Sequence, residues 1–191
     1  VAEKLDIGAE LADRWYPEMR SVTFSSATMS VDGDFSHFNG SSGLSLLKEG
    51  RHREVSLPSG YDYDRNMSAI AVRDLPDPRD RGYLDALVDL LFDVHVSMGG
   101  SVLTLFTNRR EMELAHAALE PRLAARGLSV AMQERGSSVR RLSRRFVEDR
   151  DLSLMALKSF WEGFDAAGDT LRCVVIPKLP FSSPKDPLVQ D

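Results

Sequence analysis

Three short stretches of this sequence combine residue types that grip phosphate or move protons. Thr107-Asn108-Arg109-Arg110 sets a hydroxyl, a good helix N-cap and two guanidiniums side by side, with Glu111 at the capping-box spacing. A helix N-terminus with free N–H groups is a natural phosphate site. A plain cap with solvated arginines fits the same residues. The stretch Lys158 to Asp169 carries Phe160, Trp161 and Phe164 among the carboxylates Glu162, Asp165 and Asp169 and the glycines Gly163 and Gly168. Its glycines permit close backbone approach, and its carboxylates suit a ribose, a metal-bound water or a partner arginine. The same aromatics equally suit a plug at the end of a sheet. Ser25-Ser26-Ala27-Thr28 is the third stretch, two hydroxyls following the β-rich Val22-Thr23-Phe24.

These stretches matter only if secondary structure delivers them to one place. From Tyr83 onward the pattern is regular. Tyr83, Leu84, Leu87, Val88, Leu91, Phe92 and Val94 make an amphipathic helix that ends at Gly99-Gly100. Ser101–Phe106 reads as a strand covered on both faces, followed by a helix from Arg109 to about Arg126 that Gly127 closes. The cycle repeats as strand Ser129–Met132, helix Ser137–Asp149, strand Leu152–Leu157 and strand Leu171–Ile176. Such alternation predicts βαβ units, right-handed crossovers and a mostly parallel sheet with helices on both faces. In that architecture ligands gather beyond the carboxyl ends of the strands, where all three stretches emerge.

The first third is less regular. Glu3 to Tyr16 has helical periodicity with Trp15 on its apolar side, and Pro17 closes it. Ser21–Ser25, Arg53–Leu57 and Ala69–Val72 read as short strands, and the Gly/Ser/Asp-rich span from Asp32 to Gly50 as loop with one short helix. No internal repeat or linker interrupts the chain, so residues 1–191 read as one domain. The Pro-rich tail after Pro177 has no closing helix and reads as a segment of a larger protein.

Composition sets the remaining bounds. A net charge of −5 over 191 residues argues against a general polyanion-binding surface, while the arginines crowded between Arg109 and Arg145 leave room for a local one. Arg140, Arg141, Arg144 and Arg145 sit in pairs one helical turn apart; a nucleic-acid track and a solvated face balanced by Glu148 and Asp149 both fit, the second better. Gln133, Glu134 and Arg135 follow a strand end and could border a groove. The lone Cys173 lies in an apolar run and reads as a small buried hydrophobe, and the four histidines show neither metal spacing nor a nucleophile to serve. No apolar run could span a bilayer and no signal pattern opens the chain, which points to the cytoplasm.

At motif level the chain resembles one family. Ser26-Ala27-Thr28 resembles the Ser-Ala-Thr motif of superfamily 2 helicases. Gly99–Asn108 resembles motif IV of the DinG/XPD-like group, and Ser159–Asp169 is similar to its motif V. Val174 to Pro187 continues the pattern, and Phe160-Trp161-Glu162-Gly163 with Lys178-Leu179-Pro180-Phe181 fits the bacterial DinG-like branch best. The resemblance implies a three-layer RecA-like second motor lobe, in which ATP binds between two lobes of one polypeptide and single-stranded DNA crosses both. It implies that Ser26 and Thr28 couple nucleotide state to the DNA path, and that Thr107, Asn108 and Arg109 hold backbone phosphates. Ser159 and Phe160 would lie on the DNA side. Glu162 and Asp165 would be the catalytic carboxylates, with Gly163, Gly168 and Asp169 against ATP.

The departures from that pattern are informative. No Gly-x-x-x-x-Gly-Lys-Ser/Thr phosphate loop occurs, nor the carboxylate box for magnesium, nor the arginine of motif VI. ATP and Mg²⁺ would therefore be held mainly by the first lobe, to which the cysteines of any iron–sulfur cluster would also belong. The chain alone is expected to lack ATPase activity. The competing reading is a non-catalytic α/β binding module that kept the fold. An unrelated nucleotide-binding enzyme is disfavoured by the missing glycine-rich loop.

Overall fold

The computed structural model describes residues 7–160, 164, 166 and 170–181, with Ser159 described by its backbone alone. Contacts divide the chain at Ala69/Ile70 into two units.

The first unit is mostly helical turns and extended chain. A turn of α-helix, α1 (Gly8–Glu10), runs into a π-helix at Leu11–Trp15 and a 3-10 turn at Tyr16–Glu18. Helix α2 (Ser36–Ser42) and the 3-10 turn Leu44–Leu46 provide the packing partner, and α3 (Tyr63–Asn66) is a single turn capped by Asp62. The backbones of α1 and the α2 terminus touch: a Cβ on Gly43 would lie 2.0 Å from the Gly8 carbonyl oxygen. Glycine is what permits that approach.

Several expectations for residues up to Val72 fail, most of them in this unit. Trp15 is 58% exposed, and Tyr16 is buried in its place, its hydroxyl donating to the Ser42 carbonyl at 2.5 Å. The wider π turn shifts the inward face by one residue. The expected strands at Ser21–Ser25, Arg53–Leu57 and Ala69–Val72 do not form. A strand requires a ladder, and no described residue pairs with them, so Leu57 and Ile70 stand 81% and 86% exposed. The short helix inside Asp32–Gly50 is present as α2. Of the first helix, residues 3–6 lie outside the described residues.

The second unit is a three-layer α/β/α fold. Helix α4 (Tyr83–Met98) leads to β1 (Val102–Leu105), α5 (Arg109–Ala124), β2 (Ser129–Met132), α6 (Val139–Glu148), β3 (Leu152–Ala156) and, after a 3-10 turn at Lys158–Phe160, β4 (Cys173–Val175). The four strands are all parallel in the order β2-β3-β1-β4. The β1-α5-β2 and β2-α6-β3 crossovers step across the sheet in opposite directions, so one common hand places α5 and α6 on opposite faces.

The burial pattern agrees with this topology. Phe106 and Met155 face α4 and α5, where Leu87, Leu91, Met112, Leu119 and Leu123 are fully buried. Leu103, Leu105, Leu152, Leu154 and Ala156 face the other way onto Phe146 of α6 and Phe160. With both faces covered, β1 and β3 are buried at every residue, including Thr104 and Ser153 within their otherwise apolar runs. His95 lies fully buried within α4, its Nδ1 2.6 Å from the Leu91 carbonyl and its Nε2 without a hydrogen-bond partner among the described residues. Burial pushes its pKa down.

Candidate nucleotide and nucleic-acid site

The carboxyl edge of the sheet is assembled by short hydrogen bonds between neighbouring elements. As β1 ends, the Phe106 N–H still reaches the Ala156 carbonyl at 2.8 Å, which aligns the exits of β1 and β3. Thr107 and Asn108 then emerge exposed, and the Asn108 side chain accepts from the Glu111 N–H at 3.3 Å to cap α5. The cap leaves the Thr107 hydroxyl and the first N–H groups of α5 at the mouth of the edge, where a phosphate oxygen would complete their hydrogen bonding.

Arg109 is placed differently from its neighbours. Its guanidinium donates to the Gln133 carbonyl at 2.9 Å and lies 3.8 Å from Glu113, with a quarter of the side chain accessible. Gln133 is 8% exposed and acts as a clamp. Its N–H donates to the Met155 carbonyl and its Oε1 accepts from the Leu157 N–H, both at 2.9 Å. A side-chain oxygen thus continues the β2–β3 ladder one step past the strands. Arg109 and Gln133 together fix α5 and β2 relative to β3, so Arg109 orients the edge as well as charging it. Gln133, read from sequence only as a groove-bordering residue, is a structural clamp. The available signal was a buried-type amide directly after an apolar strand.

Glu111 also departs from expectation. Its carboxylate does not close a capping box but pairs with the Lys178 ammonium at the exit of β4. The ammonium lies 4.8 Å from the centre of the Tyr83 ring, whose hydroxyl donates to the Pro177 carbonyl at 3.4 Å. Burial first, then the Glu111 charge, pushes the Tyr83 hydroxyl up to about 12. An ion pair shielded by a ring at this position ties α4, α5 and the β4 exit together.

At the β3 exit Phe160 is 2% exposed and its ring sits 5.4 Å from that of Phe164, which in turn meets Phe146 at 5.7 Å. Phe160 therefore serves as the plug at the sheet end and presents no face for a base. Ser159 lies in the 3-10 turn, with its side chain outside the described residues. Glu162, Gly163, Asp165, Gly168 and Asp169 also lie outside them, as does Trp161. Cys173 is partly buried in β4, and burial raises its thiol pKa. In the first unit Ser26 and Thr28 pair with each other: their hydroxyls are 3.2 Å apart, and the Thr28 N–H donates to Ser26 Oγ at 3.2 Å, leaving both exposed.

Among the described residues no group of three or more His, Cys, Asp or Glu side chains could hold a metal, and no helix is long and apolar enough to cross a membrane. The four α6 arginines are exposed, and none makes an ion pair among the described residues. The face is solvated as expected, with Glu148 and Asp149 exposed nearby but outside ion-pair distance of the arginines.

Comparison with known proteins agrees with this geometry. The helicase C-terminal domain family matches residues 91–191, more than half of the chain. "ATP-dependent DNA helicase YoaA" of Escherichia coli K12 is 36% identical over 171 residues, covering 89% of this chain and 25% of the relative. "3'-5' exonuclease DinG" of Bacillus subtilis 168 is 29% identical over 98% of this chain and 20% of its own length. "ATP-dependent helicase DinG" of Mycobacterium tuberculosis H37Rv is 28% identical over 97% of this chain and 27% of its own length. The chain thus spans about a fifth to a quarter of the relatives it matches. By the parallel three-layer sheet and the family match over its second half, this chain belongs to the helicase C-terminal domain family, as the C-terminal region of a DinG-like superfamily 2 helicase.

Proposed function

We propose that residues 1–191 act as the second lobe of an ATP-driven DNA motor, closing over ATP and Mg²⁺ held mainly by a first lobe of the same polypeptide. The observation that carries this reading is the exposed Thr107-Asn108 start of α5 at the carboxyl edge of a parallel sheet, in a chain of helicase family. Phosphoryl transfer needs positioning and charge stabilisation more than covalent chemistry, so two lobes can each supply part of the constellation. In this proposal Thr107 and Asn108 hold single-stranded DNA phosphates, Arg109 orients them through Gln133, and Ser159 lies beside the same track. Ser26 and Thr28 link nucleotide state to that path. Glu162 and Asp165 act in the ATP cleft, with Gly163, Gly168 and Asp169 lining it. Closure on ATP and reopening after hydrolysis would shift one phosphate grip against the other, which turns hydrolysis into translocation. The setting we propose is DNA repair in the cytoplasm.

The test is ATP hydrolysis by the intact protein with and without single-stranded DNA, for wild type and Asp165→Ala. DNA-stimulated hydrolysis that the folded variant loses supports the motor. Absence of hydrolysis under every DNA condition removes it in favour of a binding module. Residues 1–191 alone should hydrolyse no ATP in either case.

A further inference from the structure

Helix α6 carries a surface that the carboxyl-edge site does not use. At about 100° per residue, Arg140, Arg141, Arg144 and Arg145 fall within one sector roughly 140° wide, while Leu142 and the fully buried Phe146 point the other way into the core. All four guanidiniums are exposed and free of ion pairs among the described residues. Glu148 shares the sector, one turn further along, and leaves them unpaired. Four like charges on one short helix repel each other, an arrangement tolerated when a polyanion shares the surface.

The position of the helix gives this face a direction. Because α6 connects the parallel strands β2 and β3, it runs back from the carboxyl edge. Arg140 and Arg141 therefore lie nearest that edge, and Arg144 and Arg145 lie one turn away from it. The i,i+4 pairs repeat about every 6 Å along the axis, a spacing that suits successive phosphates of an extended strand. At the edge end, a cavity of about 410 Å³ opens between α5, β2 and α6, lined by His116, Glu134, Ser137, Ser138, Arg141 and Arg145. Its size falls in the range of small-ligand sites.

We propose that the arginine face of α6 extends the nucleic-acid path beyond the carboxyl edge, with phosphates running along Arg140, Arg141, Arg144 and Arg145 and one nucleotide seated in the cavity at its start. This rests on the DNA-binding reading above. A protein partner fits less well, since the sector holds no apolar centre of the kind protein interfaces bury. Backbone recognition needs only charge and hydrogen-bond donors.

The test measures binding of the intact protein to a short and a long single-stranded oligonucleotide across a salt series. The variants are Arg140→Gln/Arg141→Gln/Arg144→Gln/Arg145→Gln and the matching all-Lys protein, with melting curves to verify folding. For the Gln variant, affinity for the long strand should fall about tenfold or more at low salt, and the log–log salt slope should flatten by about 2–3, since each phosphate contact contributes about 0.7 on a single strand. The short strand, held at the carboxyl edge, should bind unchanged, and the all-Lys protein should recover most of the slope. A Gln variant that binds the long strand with wild-type affinity and slope overturns the inference and leaves α6 to an acidic protein partner. Wild type binding neither oligonucleotide overturns the DNA reading and the inference together.

Discussion

Two adjacent glycines at the end of α4 offer a sharp test of how this lobe is held together. Both have positive φ, +65° at Gly99 and +93° at Gly100, but their surroundings differ. A Cβ on Gly99 meets nothing within 4 Å, whereas one on Gly100 would sit 2.1 Å from the Asp151 carbonyl oxygen and 2.9 Å from its carbon. Alanine at Gly99 should therefore cost only the left-handed backbone term, about 1–2 kcal/mol. At Gly100 the same term is joined by a backbone-to-backbone clash. The neighbouring bonds prevent escape: the Ser101 hydroxyl donates to the Arg150 carbonyl, and the Arg172 N–H donates to the Ser101 carbonyl at 3.2 Å. Overpacking of this kind adds about 1–3 kcal/mol, for a total of about 2–5 kcal/mol. At about 2–4 °C per kcal/mol for a chain of this size, Gly100→Ala should lower Tm by roughly 4–20 °C and Gly99→Ala by roughly 2–8 °C. Amide exchange at Val102–Leu105 provides a local readout, and protection there should drop by more in the Gly100 variant. Equal losses at the two positions, or a Gly100→Ala protein within about 2 °C of wild type, would refute the steric argument.

Two further outcomes follow from the clamp and the buried histidine. Gln133→Leu strands the Leu157 N–H without its acceptor and should cost about 1–3 kcal/mol by urea midpoint, with Gln133→Glu milder because it keeps an oxygen there; a neutral Leu variant removes the clamp. His95 has a depressed pKa in the folded state, so its contribution is present above the unfolded value near 6.5 and is lost as pH falls below it. Tm of wild type should therefore drop between about pH 6.5 and 5 more steeply than Tm of His95→Gln, and parallel pH curves would show that the histidine is not the titrating group.

The second unit was readable from sequence because its signals are local. Tyr83, Leu87 and Leu91 mark one helical face, Asn108 announces a cap, and the largely apolar runs of β1 and β3 declare burial on both faces. What could not be read depends on distant partners. Glu111 has the spacing of a capping box, yet Lys178 at the β4 exit takes its carboxylate. Gln133 becomes a clamp only when Leu157 and Arg109 arrive beside it. Val55 and Ile70 have strand propensity without a ladder to join, so propensity misled there. The plug formed by Phe160 and Phe164 was one of two open readings, and only burial decides it.

The strand order also has a temporal side. In β2-β3-β1-β4, among the described residues, the first strand pairs with β3 and β4 and the second with β3 alone. A ribosome synthesising this chain therefore releases β1 and β2 before either has a neighbour, and β3 follows β1 by on the order of fifty residues, or roughly 3–10 s of elongation. Through that interval two apolar strand edges stand open, and helices α4 and α5, packed through Leu87 and Leu119, are the cover available to them. When β3 arrives it pairs with both at once, so the whole sheet hinges on five residues, Leu152–Ala156. Lesions there should act first on yield during synthesis, where exposure is longest, and only secondarily on the stability of protein that has already folded.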